Sequence, residues 1–398
     1  MKSVIIIGGG VIGASIAYHL VRQDSQLRIT LVEMGDPASG SSGACDGLVF
    51  MQSKKPGVHL ALAMESRKGF RRLARELPLD IEYRETGGMV TIDNDAEFRA
   101  MEKFAAEQRA IGLDVRLLDR DQTLALEPRL SPDIAGATHS PQDAQVNPIT
   151  LTLGLIQGAR QAGVNVLTHT RVLGFKTKGN RILGVETTRG GLEADVTVMA
   201  GGALSGALAQ KLDLSFPIRP RRGQIVVTSA SRPLISHCMI SASYIAAKFD
   251  PELAARAGQG ISMEQADNGN LLLGSTREFV GFDKSNTPEG LKGILRKAAR
   301  ILPALGDLDI IRTFAGLRPF TPDGMPLLGP VAEFEGLYTA AGHEGDGIAL
   351  SPVTGALMAD MILGNTSDLI RCFGSELSAF SPHRFNLKST SRGDAAHV

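Results

Sequence analysis

Val4-Ile5-Ile6-Ile7-Gly8-Gly9-Gly10-Val11-Ile12-Gly13 opens the unit that decides the fold class. The β-branched run Val4 to Ile7 reads as a buried strand, and Ala14 to Val21 reads as a helix. Arg28 to Glu33 reads as the next strand and ends in an acid. Strand, GxGxxG turn, helix, strand and acid follow within about thirty residues, the context a dinucleotide-binding unit requires. Gly8 permits the tight turn, Gly10 lets backbone N–H groups approach a pyrophosphate, and Gly13 lets the helix pack closely on the sheet. The helix N-terminus adds free donors and the positive end of its dipole. Glu33 can accept hydrogen bonds from both hydroxyls of an adenosine ribose, and its charge disfavours a 2′-phosphate. A glycine-rich loop on an ordinary α/β unit is the plain alternative, and the motif alone does not separate FAD from NAD.

The rest of the composition sets bounds. A chain of 398 residues exceeds what one hydrophobic core usually serves, so two domains are expected. Lys+Arg and Asp+Glu balance at 42 each, so no global field favours nucleic acid or an anionic membrane. Cys45, Cys238 and Cys372 have neither metal spacing nor a disulfide framework, which fits a reducing, cytoplasmic compartment. The apolar run Val4 to Val21 carries four glycines and is better explained by the dinucleotide turn than by a signal peptide. No other segment has the length and apolarity of a membrane span.

Past Glu33, Ser39-Gly40-Ser41-Ser42-Gly43-Ala44 offers hydroxyls and N–H groups to a second stretch of phosphate or ribitol, or is a plain flexible loop. Three further stretches stand out: Asp143 to Pro148, Ala315 to Pro326, and Ala341 to Ile348 running on to Pro352. With the first unit, and with Phe380 to Phe385, they resemble the D-amino-acid oxidase / glycine oxidase / sarcosine oxidase superfamily of FAD enzymes, from residue 3 to about residue 385. Ala44-Cys45-Asp46-Gly47-Leu48-Val49 and Gly342-His343-Glu344-Gly345 resemble one branch of it, the flavin subunits of opine oxidase, D-hydroxyproline dehydrogenase and archaeal proline dehydrogenase.

The resemblance implies a discontinuous Rossmann-like FAD-binding domain (residues 1–80, 140–215 and 316–385) and a mainly antiparallel β substrate domain (81–139 and 216–315), α/β in class and α+β overall. Residues 386–398 are expected to fray. It implies non-covalent FAD, because no cysteine matches the attachment position of covalent members. Contacts to the cofactor are expected from Gly8, Gly10, Val11, Ile12, Gly13, Glu33 and Met34, and from Ser41, Ser42 and Gly43 in the following loop. Val172 should contact the adenine through its backbone, the small-residue turn Ala200-Gly201 and Gly316 and Arg318 should lie against the cofactor, and Gly345, Asp346, Gly347 and Ile348 near the flavin. The implied activity is hydride removal from the carbon beside the nitrogen of a small amino or imino acid: an opine, D-hydroxyproline, proline or a sarcosine-like compound.

Arg318 is the expected substrate anchor, because a guanidinium grips a carboxylate with two parallel hydrogen bonds and stays charged. A surface or structural arginine is the plain alternative. His343 and Glu344 could touch substrate or tune the flavin; helix capping is the plain alternative for Glu344 and Asp346. Tyr244 resembles a pocket tyrosine of some members, although the Pro-Arg expected after it is missing; a buried structural tyrosine is the simpler reading. Cys45 reads as a packed small residue. Glu264 and Gln265 could face the pocket, but alternation alone does not say which side each takes.

The branch implies partners: a second flavoprotein-like subunit, a small ferredoxin-like subunit, and FMN at an interface. Lys54-Lys55 and Arg219 to Arg222 are basic enough to meet its phosphate, or are solvated surface charge. Other readings are a stand-alone D-amino-acid or glycine oxidase, a 2-hydroxy-acid dehydrogenase, and a flavin-binding subunit without catalysis of its own. Locally, Asn94 or Asp95, Asn147 before Pro148, and Thr287 before Pro288 read as helix starts, and 224–227, 261–265 and 271–276 as antiparallel strands.

Overall fold

The computed structural model describes residues 2–249 and 260–387. Ser3–Ile7 is the buried strand expected, paired in parallel with Arg28–Val32 on one side and Val196–Met199 on the other. Asn165–Leu167 extends this sheet beyond Arg28–Val32, and Leu337–Ala341 extends it beyond Val196–Met199, both in parallel. Leu327–Pro330 closes the six-stranded sheet as an antiparallel edge. Parallel strands need both faces covered. Helices Val11–Gln23, Val58–Glu76, Pro148–Gln161 and Gly347–Leu363 bury one face, and the three-stranded antiparallel sheet of Val172–Lys178, Arg181–Thr187 and Gly190–Glu193 packs on the other.

Helix Gly347–Leu363 is apolar almost all round and passes through this core. Its Pro352 cannot donate to the carbonyl of Ile348, and the Ser351 hydroxyl donates to that oxygen instead at 2.9 Å. Gly355 has no room for a side chain against Ser15 and His19, so this helix and Val11–Gln23 touch backbone to backbone. Their close approach brings the loop before Gly347 toward the glycine turn.

An eight-stranded sheet forms the second body, in the order Ile310–Phe320, Arg219–Thr228, Leu271–Gly274, Ser262–Gln265, Cys238–Ser241, Gly88–Ile92, Gly136–Ser140, Arg116–Asp119. All its pairs are antiparallel except Cys238–Ser241 with Gly88–Ile92. Helix Pro288–Ile301, capped by the Thr287 hydroxyl, buries Ile294, Ala298 and Ile301 against one face. Helix Asp95–Ala110, capped by the Asn94 side chain, and Pro148–Gln161, capped by Asn147, start where their caps predict.

Two boundaries differ from expectation. Ile310–Phe320 stays in the eight-stranded sheet to its end, pairing Arg219 with Phe320, so the division expected at residue 316 falls inside a strand. Leu387 is buried and its carbonyl accepts from Ser215 N at 2.8 Å, so the chain is still held where fraying was expected from 386; residues 388–398 lie outside the described residues.

Candidate active site

The glycine turn has the form a pyrophosphate requires. Gly8 sits at φ +118°, and a Cβ on it would overlap the carbonyl of Ala200; one on Gly13 would overlap the carbonyl of Gly8. Helix Val11–Gln23 begins at Gly10 without a side-chain cap. Its first N–H groups have no carbonyl one turn back. Ser42 Oγ accepts from Val11 N at 3.0 Å, which fixes the serine loop on the turn. Ser41 donates to the carbonyl of Leu317, and a side chain on Gly316 would overlap the carbonyl of Ala44. A side chain on Gly43 would likewise overlap the carbonyl of Ala38. Turn, serine loop and the Ile310–Phe320 strand are thereby locked together.

Glu33 accepts from Gly9 N at 2.6 Å through one oxygen and from Gly35 N at 2.8 Å through the other. These bonds hold the carboxylate flat beside the turn, each oxygen keeping acceptor capacity for a ribose hydroxyl. Met34 is 49% exposed next to it. The backbone around Val172 stands close by, since Thr170 N donates to the carbonyl of Glu33, and Ala200 N donates to Ile7 at the end of the central strand. The residues present fit a dinucleotide, and the second body fits the reactive end of one.

That end is cationic. Arg221 and Arg318 are direct cross-strand partners. Arg318 folds over Gly223, where any side chain would overlap its guanidinium, and it donates to the Thr276 carbonyl at 3.0 Å and to the Ser275 hydroxyl. Arg221 pairs with Glu344, Arg277 Nη1 lies 2.9 Å from the same Glu344 oxygen, and Arg318 Nε lies 4.0 Å from it. Arg277 lies over the Tyr244 ring at 4.4 Å and Arg221 over Phe320 at 4.6 Å. Burial pulls the Arg221 guanidinium below its ordinary range, Glu344 opposes this, and Arg277 and Arg318 add to it.

Several sequence expectations change here. Arg219 stays exposed, but Arg221 and Arg222 are buried and are not solvated surface; Arg222 instead pairs with Glu278 and Asp283. Lys54 is 1% exposed, with Nζ 2.9 Å from Asp346, so it is a buried ion-pair member and only Lys55 is exposed. Asp346 stands at the N-cap of Gly347–Leu363 without a side-chain cap bond, its carboxylate held by Lys54 and, at 3.2 Å, by His59. Glu344 lies three residues before that helix, at φ +52°, turned into the arginine cluster rather than capping. His343 faces away from the cluster, with Nε2 3.1 Å from the Thr354 hydroxyl, and burial pulls its pKa down to about 3.

Tyr244 lies in helix Ala242–Phe249 under Arg277, facing the site despite its poor local match. Asp46 and Glu264 form an acidic pair. Both Glu264 oxygens accept from Gly47 N, at 3.0 and 2.9 Å, while Ser262 donates to Asp46 at 2.8 Å. Burial pushes Glu264 up to about 8, and the Asp46 charge pushes the same way. Glu264 therefore faces the loop at 46–47, the side that alternation left open. Cys45 donates to the carbonyl of Ser42, and burial raises its thiol well above the ordinary range. Arg277 was not singled out from the sequence, Arg221 was read only within the basic 219–222 stretch, and Asp46 only within the 44–49 stretch. The Arg-rich stretch at 219–222, set in a strand, was the available signal for Arg221.

Comparisons with known proteins bear on the family. The family described as FAD dependent oxidoreductase matches residues 3–361. The hydrogen cyanide synthase subunit HcnC of Pseudomonas aeruginosa is 33% identical over 92% of this chain and 93% of its own length. The glycine oxidase of Geobacillus kaustophilus is 31% identical over 90% of this chain and 92% of its own. A crystal structure of glycine oxidase from that organism superposes with a TM-score of 0.86, covering 97% of this chain and 100% of the other at 29% identity. With cradle, basic site and these likenesses together, the chain belongs to the D-amino-acid oxidase family of FAD-dependent oxidoreductases.

Proposed function

We propose that this protein oxidises the C–N bond of a small amino or imino acid, holding the substrate carboxylate on Arg318. The observation that carries the reading is the position of Arg318: its strand is locked to the serine loop through Gly316, and its guanidinium lies in a buried cationic site. Bound FAD supplies the hydride acceptor, so this chain needs neither nucleophile nor metal. Arg318 binds and orients the carboxylate, and the site around it, walled by Tyr244 and Phe320, excludes water. Asp46, with Glu264 held protonated beside it by burial, would stabilise the substrate's ammonium. With FAD bound, the N–H groups at Gly347 and Ile348 and the dipole of the helix they open would stabilise negative charge on the flavin. The glycine oxidase relatives are named for an amino acid, which supports the substrate class.

The chain acts, in this reading, as the flavin-bearing subunit of a larger assembly with a second flavoprotein-like and a ferredoxin-like chain. The name of the HcnC relative, a synthase subunit, supports assembly. The alternative is a stand-alone oxidase, favoured by the near full-length match to glycine oxidases. Anaerobic bleaching of the bound flavin by a panel of amino acids, N-alkyl amino acids, prolines, opines and 2-hydroxy acids tests the chemistry. Bleaching by one amine class, lost in Arg318→Ala, is the expected result; bleaching by hydroxy acids alone would sink it. Oxygen consumption by the isolated chain separates oxidase from subunit.

A further inference from the structure

Three guanidinium groups meet one carboxylate, and that imbalance says more about the ligand than Arg318 does alone. Arg221 and Arg277 each engage Glu344 through one terminal nitrogen. Arg221 Nε and Arg277 Nη2 are buried with no hydrogen-bond partner among the described residues. Buried donors on charged groups are costly to leave unpaired, and native proteins rarely do so outside functional sites. Both guanidinium planes are also held in place, Arg277 by the Tyr244 ring and Arg221 by Phe320, with Phe279 at 5.8 Å from Arg221. A planar fork so oriented matches a carboxylate and loses little entropy on binding one.

We propose that Arg221 and Arg277 form a second carboxylate subsite beside Arg318, so that the preferred substrate is an amino or imino acid bearing two carboxylates. This rests on the reading of Arg318 as the anchor of the first carboxylate. Glu344 offsets one of the three positive charges, and a dicarboxylate offsets the other two. Glu344 is in this view a positioning residue that holds both forks at the correct angle. A substrate with one carboxylate leaves one of the three buried positive charges uncompensated, and binds more weakly for that reason.

The test uses the FAD-loaded protein and two inert anions, diglycolate and methoxyacetate, which share an ether oxygen and differ in the second carboxylate. Neither carries an amine to be oxidised, so calorimetry and the shift of the flavin spectrum report binding alone. Diglycolate is expected to bind at least about tenfold more tightly than methoxyacetate, equivalent to about 1.4 kcal/mol. Arg221→Lys and Arg277→Lys keep the charge and lose the fork. Each should reduce that preference severalfold, with a smaller change for methoxyacetate; Arg318→Lys should weaken both anions. Equal binding of the two anions by the native protein overturns the proposal, as does a preference unchanged in both Arg221→Lys and Arg277→Lys. If methoxyacetate binds and depends on Arg318 while diglycolate gains nothing, only the second subsite fails. If neither anion binds, the anchor reading fails with it.

Discussion

Arg221 and Arg318 stand directly opposite each other on neighbouring strands and turn toward the same Glu344 oxygen. Like charges so placed repel, and the arrangement is tolerated because an acid from a third segment lies between them. Glu344→Ala should therefore leave three guanidinium groups crowded in a buried site. A loss of about 3–5 kcal/mol in unfolding free energy is expected, measured by urea denaturation of the FAD-loaded protein. A change within about 0.5 kcal/mol would mean that water or a relaxed geometry already screens them.

Glu264 gives the protein a pH dependence of known sign. Its folded pKa is raised to about 8, so the folded state retains a proton that the unfolded chain releases in the ordinary carboxylate range. The associated stability is complete below that ordinary range and is lost as pH rises through about 8. Glu264→Gln should flatten the fall in thermal midpoint from about pH 5 to about pH 9. An unchanged profile would place the titration elsewhere.

His343 contributes with the opposite sign. Its folded pKa is lowered to about 3, chiefly by burial, so its stability is present above the ordinary histidine range and is lost as pH falls through about 3. It is thus neutral where the enzyme works, and His343→Gln should leave the pH profile of flavin reduction in place above about pH 5. Movement of an inflection near neutrality in that variant would show that His343 titrates during turnover.

Gly8→Ala combines a left-handed backbone with a clash on the Ala200 carbonyl. The turn must shift, and flavin should be lost on purification while the far-ultraviolet circular dichroism stays near native. Flavin absorbance per protein measures this, and full retention would show that the turn does not carry the pyrophosphate.

What was legible in the sequence was local. The glycine turn, the helix starts at Asn94, Asn147 and Thr287, and the β-branched strands each follow from a few neighbouring residues, and all formed where expected. The 172–178 strand is half exposed and interrupted by lysines, so alternation gave little sign of it. Arg318 stood out because its neighbours resemble a known pattern.

The sequence by itself determined that a dinucleotide is held, by which turn, and that an arginine follows on a later strand. Only the tertiary structure decided what that arginine stands beside. Arg221, Arg277, Arg318 and Glu344 come from four separated segments, and no spacing relates them before strand register aligns the first with the third. Burial likewise turned Lys54 from an apparent surface charge into the partner of Asp346. Register and burial are set by how whole sheets and helices pack, and the electrostatics of the site are a property of that packing.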